Sequence, residues 1–415
     1  MRITIDQNRL ARELQHLSTY SEAPAPAMTR IVFSEMDLKA REYVKALCAD
    51  AGLHVREDAV GNTFARWTGS APELPAIGTG SHIDAIPNAG IYDGTVGVLG
   101  GLEAIRSLQR GGFLPKRSVE LLLFTAEEPT RFGIGCLGSR LLAGSLGPAA
   151  GEELRDREAR TLNEVRTAAG FHGSLEEVRL APGYYAGFIE LHIEQGPLLE
   201  QQGIPIGIVT AIAAPASLCL TITGEGGHAG AVLMPVRHDA FLAAAEIALA
   251  VEHAAKLTGA MDTVGTAGVC DVFPGAVNSI PSRVRLELDI RDTDAARRDE
   301  VLRSVYEARD EVAGRRGVRI ETEIINADAP AICDTDIVDI LAEACADHSL
   351  RYQKMVSRAY HDSLFVSRFA PTAMLFIPCR NGVSHRPDEF ASSNAIRNGV
   401  LVLASSLARL SGNLS

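Results

Sequence analysis

Residues 78–101, GTGSHIDAIPNAGIYDGTVGVLGG, close an apolar, strand-like run on His82, set Asp84 two residues further on, and hold Asp93 in a loop bounded by glycines before turning helical. An imidazole and carboxylates gathered at the end of a buried strand lose hydration, and the carboxylates repel one another. A divalent cation is the simplest compensation. The stretch therefore reads as the first half of a metal site, with the remaining ligands expected elsewhere in the chain.

Working outward, residues 96–108 read as a helix, and 119–125 (VELLLFT) form an almost unbroken apolar run of strand length, which implies a strand covered on both faces. That run stops at Glu127-Glu128. Upstream, residues 1–50 carry two helical patterns separated by the Pro-rich APAPAM, and 54–65 alternate as a hairpin turning at Gly61-Asn62. Strands alternating with helices predict an α/β layer whose chemistry lies at strand carboxyl ends. Residues 187–194 (GFIELHIE) alternate so that Phe188, Glu190, His192 and Glu194 share one face, rich in ligand-type side chains.

Past residue 212 the pattern changes to strand 218–223, helix 238–256, strands 263–272 and 284–289, helix 294–315 and strand 318–325. That βαββαβ order is the plan of a ferredoxin-like domain. The helix, strand and helix after residue 330 return to the earlier layer. The expected organisation is a discontinuous catalytic domain, 1–212 and 330–415, with a mixed sheet flanked by helices, and an inserted domain at 213–329. A chain of 415 residues exceeds what one core comfortably fills, which agrees with two domains.

The formal charge of -12 offers no basic excess for nucleic acid or anionic membranes, and no apolar run is long enough for a bilayer. Seven scattered cysteines without a C-x-x-C pair fit a reducing compartment, so a cytoplasmic protein is expected, and any metal should be held by N and O ligands.

A lone His near a strand is ordinarily structural. His82, Asp93, Glu128, His192 and His385 (in GVSHRP) together are not explained that way, since all five fall at strand ends or in loops. The set suits Zn²⁺ or Mn²⁺, and Asp93, alone in its loop, is the natural bridge of a two-metal site. Adjacent Glu127 and Glu128 point apart on an extended backbone, so one can ligate while the other serves as a base. Asp84 lies where it can orient the His82 imidazole. His228, Asn278 and Arg291 stand out in the inserted segment; Arg291 either pairs with a neighbouring Asp or grips a carboxylate substrate. No phosphate loop and no G-x-S-x-G elbow compete with this reading.

GSHIDAIP, YDG, FTAEEPTRFG, ELHIEQGP, GGHAGAVLMP, NSIP, DIRD, YHDS and GVSHRP, taken in order over nearly the whole chain, resemble the di-metal amidohydrolases that open N-carbamoyl and ureido compounds, within the aminoacylase and carboxypeptidase superfamily. The resemblance is strongest to the ureidoglycolate branch, through EEPTRFGIGCLGSRLLAGS and SRAYHDSLF. The N-carbamoyl-L-amino-acid and allantoate branches usually carry an Arg-aromatic pair where this chain has Ala216-Ser217, and they remain the alternative. The resemblance implies that His82 and His192 serve one metal, Glu128 and His385 the other, and Asp93 both, with Mn²⁺ favoured and Zn²⁺ possible. It further implies Glu127 as base with Asp84 in support, and Gln195, His228, Asn278, Arg291, Tyr360 and His361 around the substrate. A homodimer formed through the inserted domain is implied too, with His228 acting across the interface, and with it a place in purine and allantoin degradation.

Overall fold

The structure is a computed structural model and describes residues 3–412. The outermost residues of the expected catalytic domain, 1–2 and 413–415, lie outside the described part. The chain divides into two compact units. The first comprises the chain up to Thr210, Cys333–Met355, and everything from His361 on; the second is Ala211–Ile332 with Val356–Tyr360.

In the first unit a mixed sheet runs in the order Ile206–Ile212, Thr372–Ile377, Tyr185–Ile193, Ala76–His82, Val119–Phe124, Thr63–Trp67, His54–Glu57. The four strands from Thr372–Ile377 to Val119–Phe124 are mutually parallel. Val119–Phe124 is buried along its whole length, as a strand covered on both faces should be. Leu122 and Phe124 enter a core with Phe64, Leu137, Leu141 and Phe188. Leu121 faces the helix Thr95–Arg110 on the other side. That helix lies so close to the sheet that a Cβ on Gly97 would sit 2.4 Å from the Leu191 carbonyl oxygen, which is why its first turns read GTVGVLGG. The helix Ser393–Ser411 packs beside it and leaves it buried almost throughout.

The N-terminal helices span Gln7–Leu17 and Glu35–Asp50. Between them Met28–Arg30 pairs with Ala85–Ala89, a small sheet that the alternation of hydrophobic residues did not signal. The hairpin strands His54–Glu57 and Thr63–Trp67 are joined by residues 58–62, where the Asp58 carboxylate accepts the amides of Val60 and Asn62. The region between Glu128 and the strand at Tyr185 folds into the short helices Leu137–Ala143, Pro148–Glu153 and Leu162–Ala168. Each is too short for its periodicity to be read.

The second unit has the βαββαβ plan: Ala214–Thr223, helix Ala240–Leu257, Val264–Phe273, Arg283–Asp292, helix Ala295–Arg316, Arg319–Ala327. Its sheet is antiparallel in the order Val264–Phe273, Arg283–Asp292, Ala214–Thr223, Arg319–Ala327. Alternation selects the inner face, where Val284, Leu286, Leu288 and Ile290 pack with Leu218, Leu220, Ile222 and the helix residues Ile247, Val251, Val301 and Val305. Asp239 and Asp294 cap the two helices by accepting their first free amides.

Candidate metal centre

The parallel order of the four central strands brings their carboxyl ends to one edge of the first unit. His82 is the last residue of Ala76–His82, and His192 the penultimate residue of Tyr185–Ile193. Glu127 and Glu128 follow Phe124, and His385 follows the strand ending at Ile377. Asp93 sits between them in the turn that starts the helix Thr95–Arg110. Its Oδ1 lies 3.1 Å from His192 Nε2 and 3.4 Å from His82 Nε2, and its Oδ2 lies 3.3 Å from His385 Nε2. His385 Nε2 is also 3.3 Å from Glu128 Oε1. Two groups of metal-type ligands result, His82–Asp93–His192 and Asp93–Glu128–His385, sharing the one carboxylate.

The imidazoles are set for this arrangement by their other nitrogens. His82 Nδ1 donates to the Asp84 carbonyl (3.0 Å) and His192 Nδ1 to the Ile193 carbonyl (2.9 Å), so each Nε2 is directed at Asp93. Burial disfavours a charged His82, but the Glu127, Asp93 and Asp84 carboxylates outweigh it and hold the imidazole well above its ordinary range. Hydrogen bonds to Asp93 and Glu128 push His385 up to about 11. Burial opposes ionisation of Asp93, yet its three imidazole partners hold it well below the usual carboxylate range. The cluster thus demands positive charge at the Nε2 atoms, which a proton or a divalent ion can supply, and its donors are the N and O types that Zn²⁺ and Mn²⁺ accept.

Residues 78–409 match Peptidase family M20/M25/M40. The chain belongs to this family. It is 52% identical over 416 residues to the ureidoglycolate hydrolase of Arabidopsis thaliana, covering 99% of this chain and 87% of the relative. It is 36% identical over 400 residues to the N-carbamoyl-L-amino acid amidohydrolase of Geobacillus stearothermophilus, covering 96% and 97%. Among solved structures, AtUAH in complex with glyoxylate and in complex with (S)-hydroxyglycine each superimpose with a TM-score of 0.90 at 51% identity, covering 99% of this chain and 98% of theirs. Members of the M20 family are metal-dependent hydrolases, and this chain is an amidohydrolase of that kind, its candidate ligands gathered around Asp93.

In this M20 chain the Gly94 backbone is tightly constrained beside the candidate ligands. It has φ +64°, and a Cβ there would stand 2.5 Å from His82 Nε2. Gly94→Ala is expected to cost more than about 1 kcal/mol of stability and to push His82 off its position. A melting curve and the bound-metal content should both fall. A variant that melts like the parent with full metal would refute this.

Asp84 does two things. Its carbonyl orients His82, while its carboxylate, 3.7 Å from that ring, accepts the amides of Glu127 (3.2 Å) and Glu128 (3.1 Å). The two glutamates lie beyond the strand that ends at Phe124, after a left-handed turn at Ala126 (φ 55°). They part company through that turn: Glu128 Oε1 faces His385, whereas Glu127 Oε2 lies 3.7 Å from His82 Nε2. Burial pushes the Glu127 carboxyl well above its ordinary range, with Glu128, Asp362 and Asp93 adding to the push against His82.

Of the polar face of GFIELHIE only His192 reaches this cluster. Glu190 accepts Ser81 Oγ (2.8 Å) and Ser363 Oγ (2.6 Å), and Glu194 caps a short helix through the amides of Leu198 and Leu199. His361 packs its ring on His192 at 4.6 Å between centroids, and Gln195 Nε2 donates to Asp93 Oδ2 (2.7 Å). In the second unit His228 pairs with Ser279 across the short segments Gly227–His228 and Ser279–Ile280, and the Ala229 amide donates to the carbonyl of the adjoining Asn278. Arg291 forms a two-point ion pair with Asp289 (2.6 and 3.2 Å), and the Tyr360 hydroxyl donates to Asp328 (2.7 Å).

Sequence reasoning missed Glu389 and Ser384. Glu389 Oε1 accepts the amides of Tyr92 and Asp93, and Ser384 Oγ bridges Glu389 Oε2 and Asp93 Oδ2, 2.8 Å from each. Only the nearness of Ser384 to His385 in the chain could have flagged them.

Proposed function

We propose that this chain hydrolyses the ureido group of ureidoglycolate, giving glyoxylate, ammonia and carbon dioxide, a step of allantoin and purine degradation. The reading rests on the 52% identity to the Arabidopsis thaliana ureidoglycolate hydrolase over almost the full chain, against 36% to the carbamoyl-amino-acid enzyme. The ligands reported with AtUAH, (S)-hydroxyglycine and glyoxylate, are the fragments such a reaction leaves.

His82 and His192 would hold one divalent ion, Glu128 and His385 a second, and Asp93 both, with Mn²⁺ favoured over Zn²⁺ by the resemblance to the ureidoglycolate branch. When bound, the ions supply Lewis acidity and lower the pKa of the attacking water. Glu127 takes the proton of that water on its carboxylate as attack on the ureido carbonyl begins, and returns it to the departing nitrogen as ammonia leaves. Loss of carbon dioxide from the remaining carbamate gives hydroxyglycine, which loses a second ammonia to become glyoxylate. Asp84 supports this exchange by fixing the Glu127 peptide. Gln195 and His361 border the metal ligands.

His228 is assigned to the developing oxyanion and Asn278, Arg291 and Tyr360 to the substrate, on the family resemblance. The same resemblance supports a homodimer formed through the second unit, with His228 serving the partner's substrate. Exposed Leu233, Met234 and Val236, which follow His228, favour such an interface. No helix among the described residues is long and apolar enough to cross a membrane. Seven free cysteines favour a reducing, cytoplasmic setting.

The deciding experiment strips the metals with chelator, restores Mn²⁺ or Zn²⁺, and follows ammonia and glyoxylate from ureidoglycolate beside ammonia from allantoate and N-carbamoyl amino acids. Faster turnover of ureidoglycolate is expected, with Mn²⁺ the better activator. Faster turnover of either rival substrate would overturn the assignment.

A further inference from the structure

The loop that carries Glu127 is closed by the start of the next helix. The amides of Cys136, Leu137 and Gly138 donate to the carbonyls of Glu127 (2.7 Å), Ala126 (2.9 Å) and Thr125 (2.8 Å), so the free amides at the helix start are spent on the three peptides that aim Glu127. Cys136 itself is left-handed (φ 55°) and fully buried. In that conformation its thiol points back into the loop and lies 3.6 Å from Glu127 Oε1. The other oxygen, Oε2, is the one near His82 Nε2. Among the described residues no other side chain donates a hydrogen bond to Glu127.

We infer that Cys136 is a positioning residue: its thiol donates to Glu127 Oε1, fixes the rotation of the carboxylate, and leaves Oε2 as the oxygen that exchanges the proton. The inference rests on the proposed role of Glu127 as base. A thiol suits this place better than a stronger acid or a cation. Burial pushes Cys136 well above the ordinary thiol range, and the nearby Glu127 and Asp362 carboxylates push the same way, so it stays a neutral donor. A neutral, weak donor orients the carboxylate without neutralising it, whereas a cation would stabilise its charge and blunt its basicity. The residue makes no claim to be a nucleophile, since a buried, protonated thiol is inert.

The test uses the metal-loaded enzyme and three variants, Cys136→Ala, Cys136→Ser and Glu127→Gln. Cys136→Ala is expected to lower kcat about tenfold, the worth of one hydrogen bond to a charged group, with KM and metal content unchanged. Cys136→Ser keeps a donor and should recover most of that loss. The infrared S–H stretch, isolated as the difference between wild type and Cys136→Ala, should move to higher frequency in Glu127→Gln, where a weaker acceptor replaces the carboxylate. Wild-type kcat in Cys136→Ala beside an inactive Glu127→Gln would overturn the positioning role alone. Equal losses in the Ala and Ser variants that track their melting temperatures, or an S–H band unmoved by Glu127→Gln, would overturn it as well. Near-normal turnover by Glu127→Gln would overturn the base assignment and the positioning role with it.

Discussion

Asp93→Ala is expected to strip both metal positions at once and to lower turnover by on the order of a thousandfold or more, because a divalent ion contributes several kcal/mol of barrier lowering. The carboxylate faces His82 and His192 through one oxygen and His385 through the other, so its removal leaves two half-sites, each with two of the proposed ligands. Neither pair approaches the four ligands at which a tightly held zinc is usually found. His82→Ala, by contrast, should cost one position more than the other. Metal content after gel filtration, measured beside kcat, separates the two cases. An Asp93→Ala enzyme that keeps one tightly bound ion would show that the carboxylate is not shared.

Glu127→Gln is expected to lower kcat by about 10²–10⁴-fold while leaving metal content and the fold intact. The amide keeps the size of the side chain and can still accept the Cys136 thiol, but it takes no proton. Its neighbour gives the control. Glu128 faces His385, so Glu128→Gln should lose metal as well as turnover. If both variants lost metal equally, the division of labour between the two glutamates would be wrong.

The α/β layer was legible because its strands are buried on both faces and therefore read as apolar runs, with VELLLFT the clearest. The βαββαβ unit was legible for the opposite reason: a sheet covered on one face alternates, as RVRLELDIRD does with every second residue against the helices. Short helices and the small sheet of Met28–Arg30 with Ala85–Ala89 carry too few residues to show a period. Strand ends also made the cluster around Asp93 readable, since chemistry-bearing residues stood where apolar runs stopped. What escaped was the support behind it. Asp93 and Glu389 are separated by 296 residues, and Cys136 meets Glu127 where Ala126 and Cys136 both turn left-handed, a conformation that neither residue type announces. Glu190 shows the converse error: it shares a strand face with His192, yet both its oxygens are taken by serines from two other segments. Periodicity assigns a face; it does not say which residues of that face reach the edge.

The most direct test of the account is anomalous scattering from crystals loaded with Mn²⁺. Two peaks are predicted, one among His82, Asp93 and His192 and the other among Asp93, Glu128 and His385. A single peak, or one lodged instead among Glu190, His192 and His361, which also cluster within ligating distance, would contradict a two-metal centre built on Asp93.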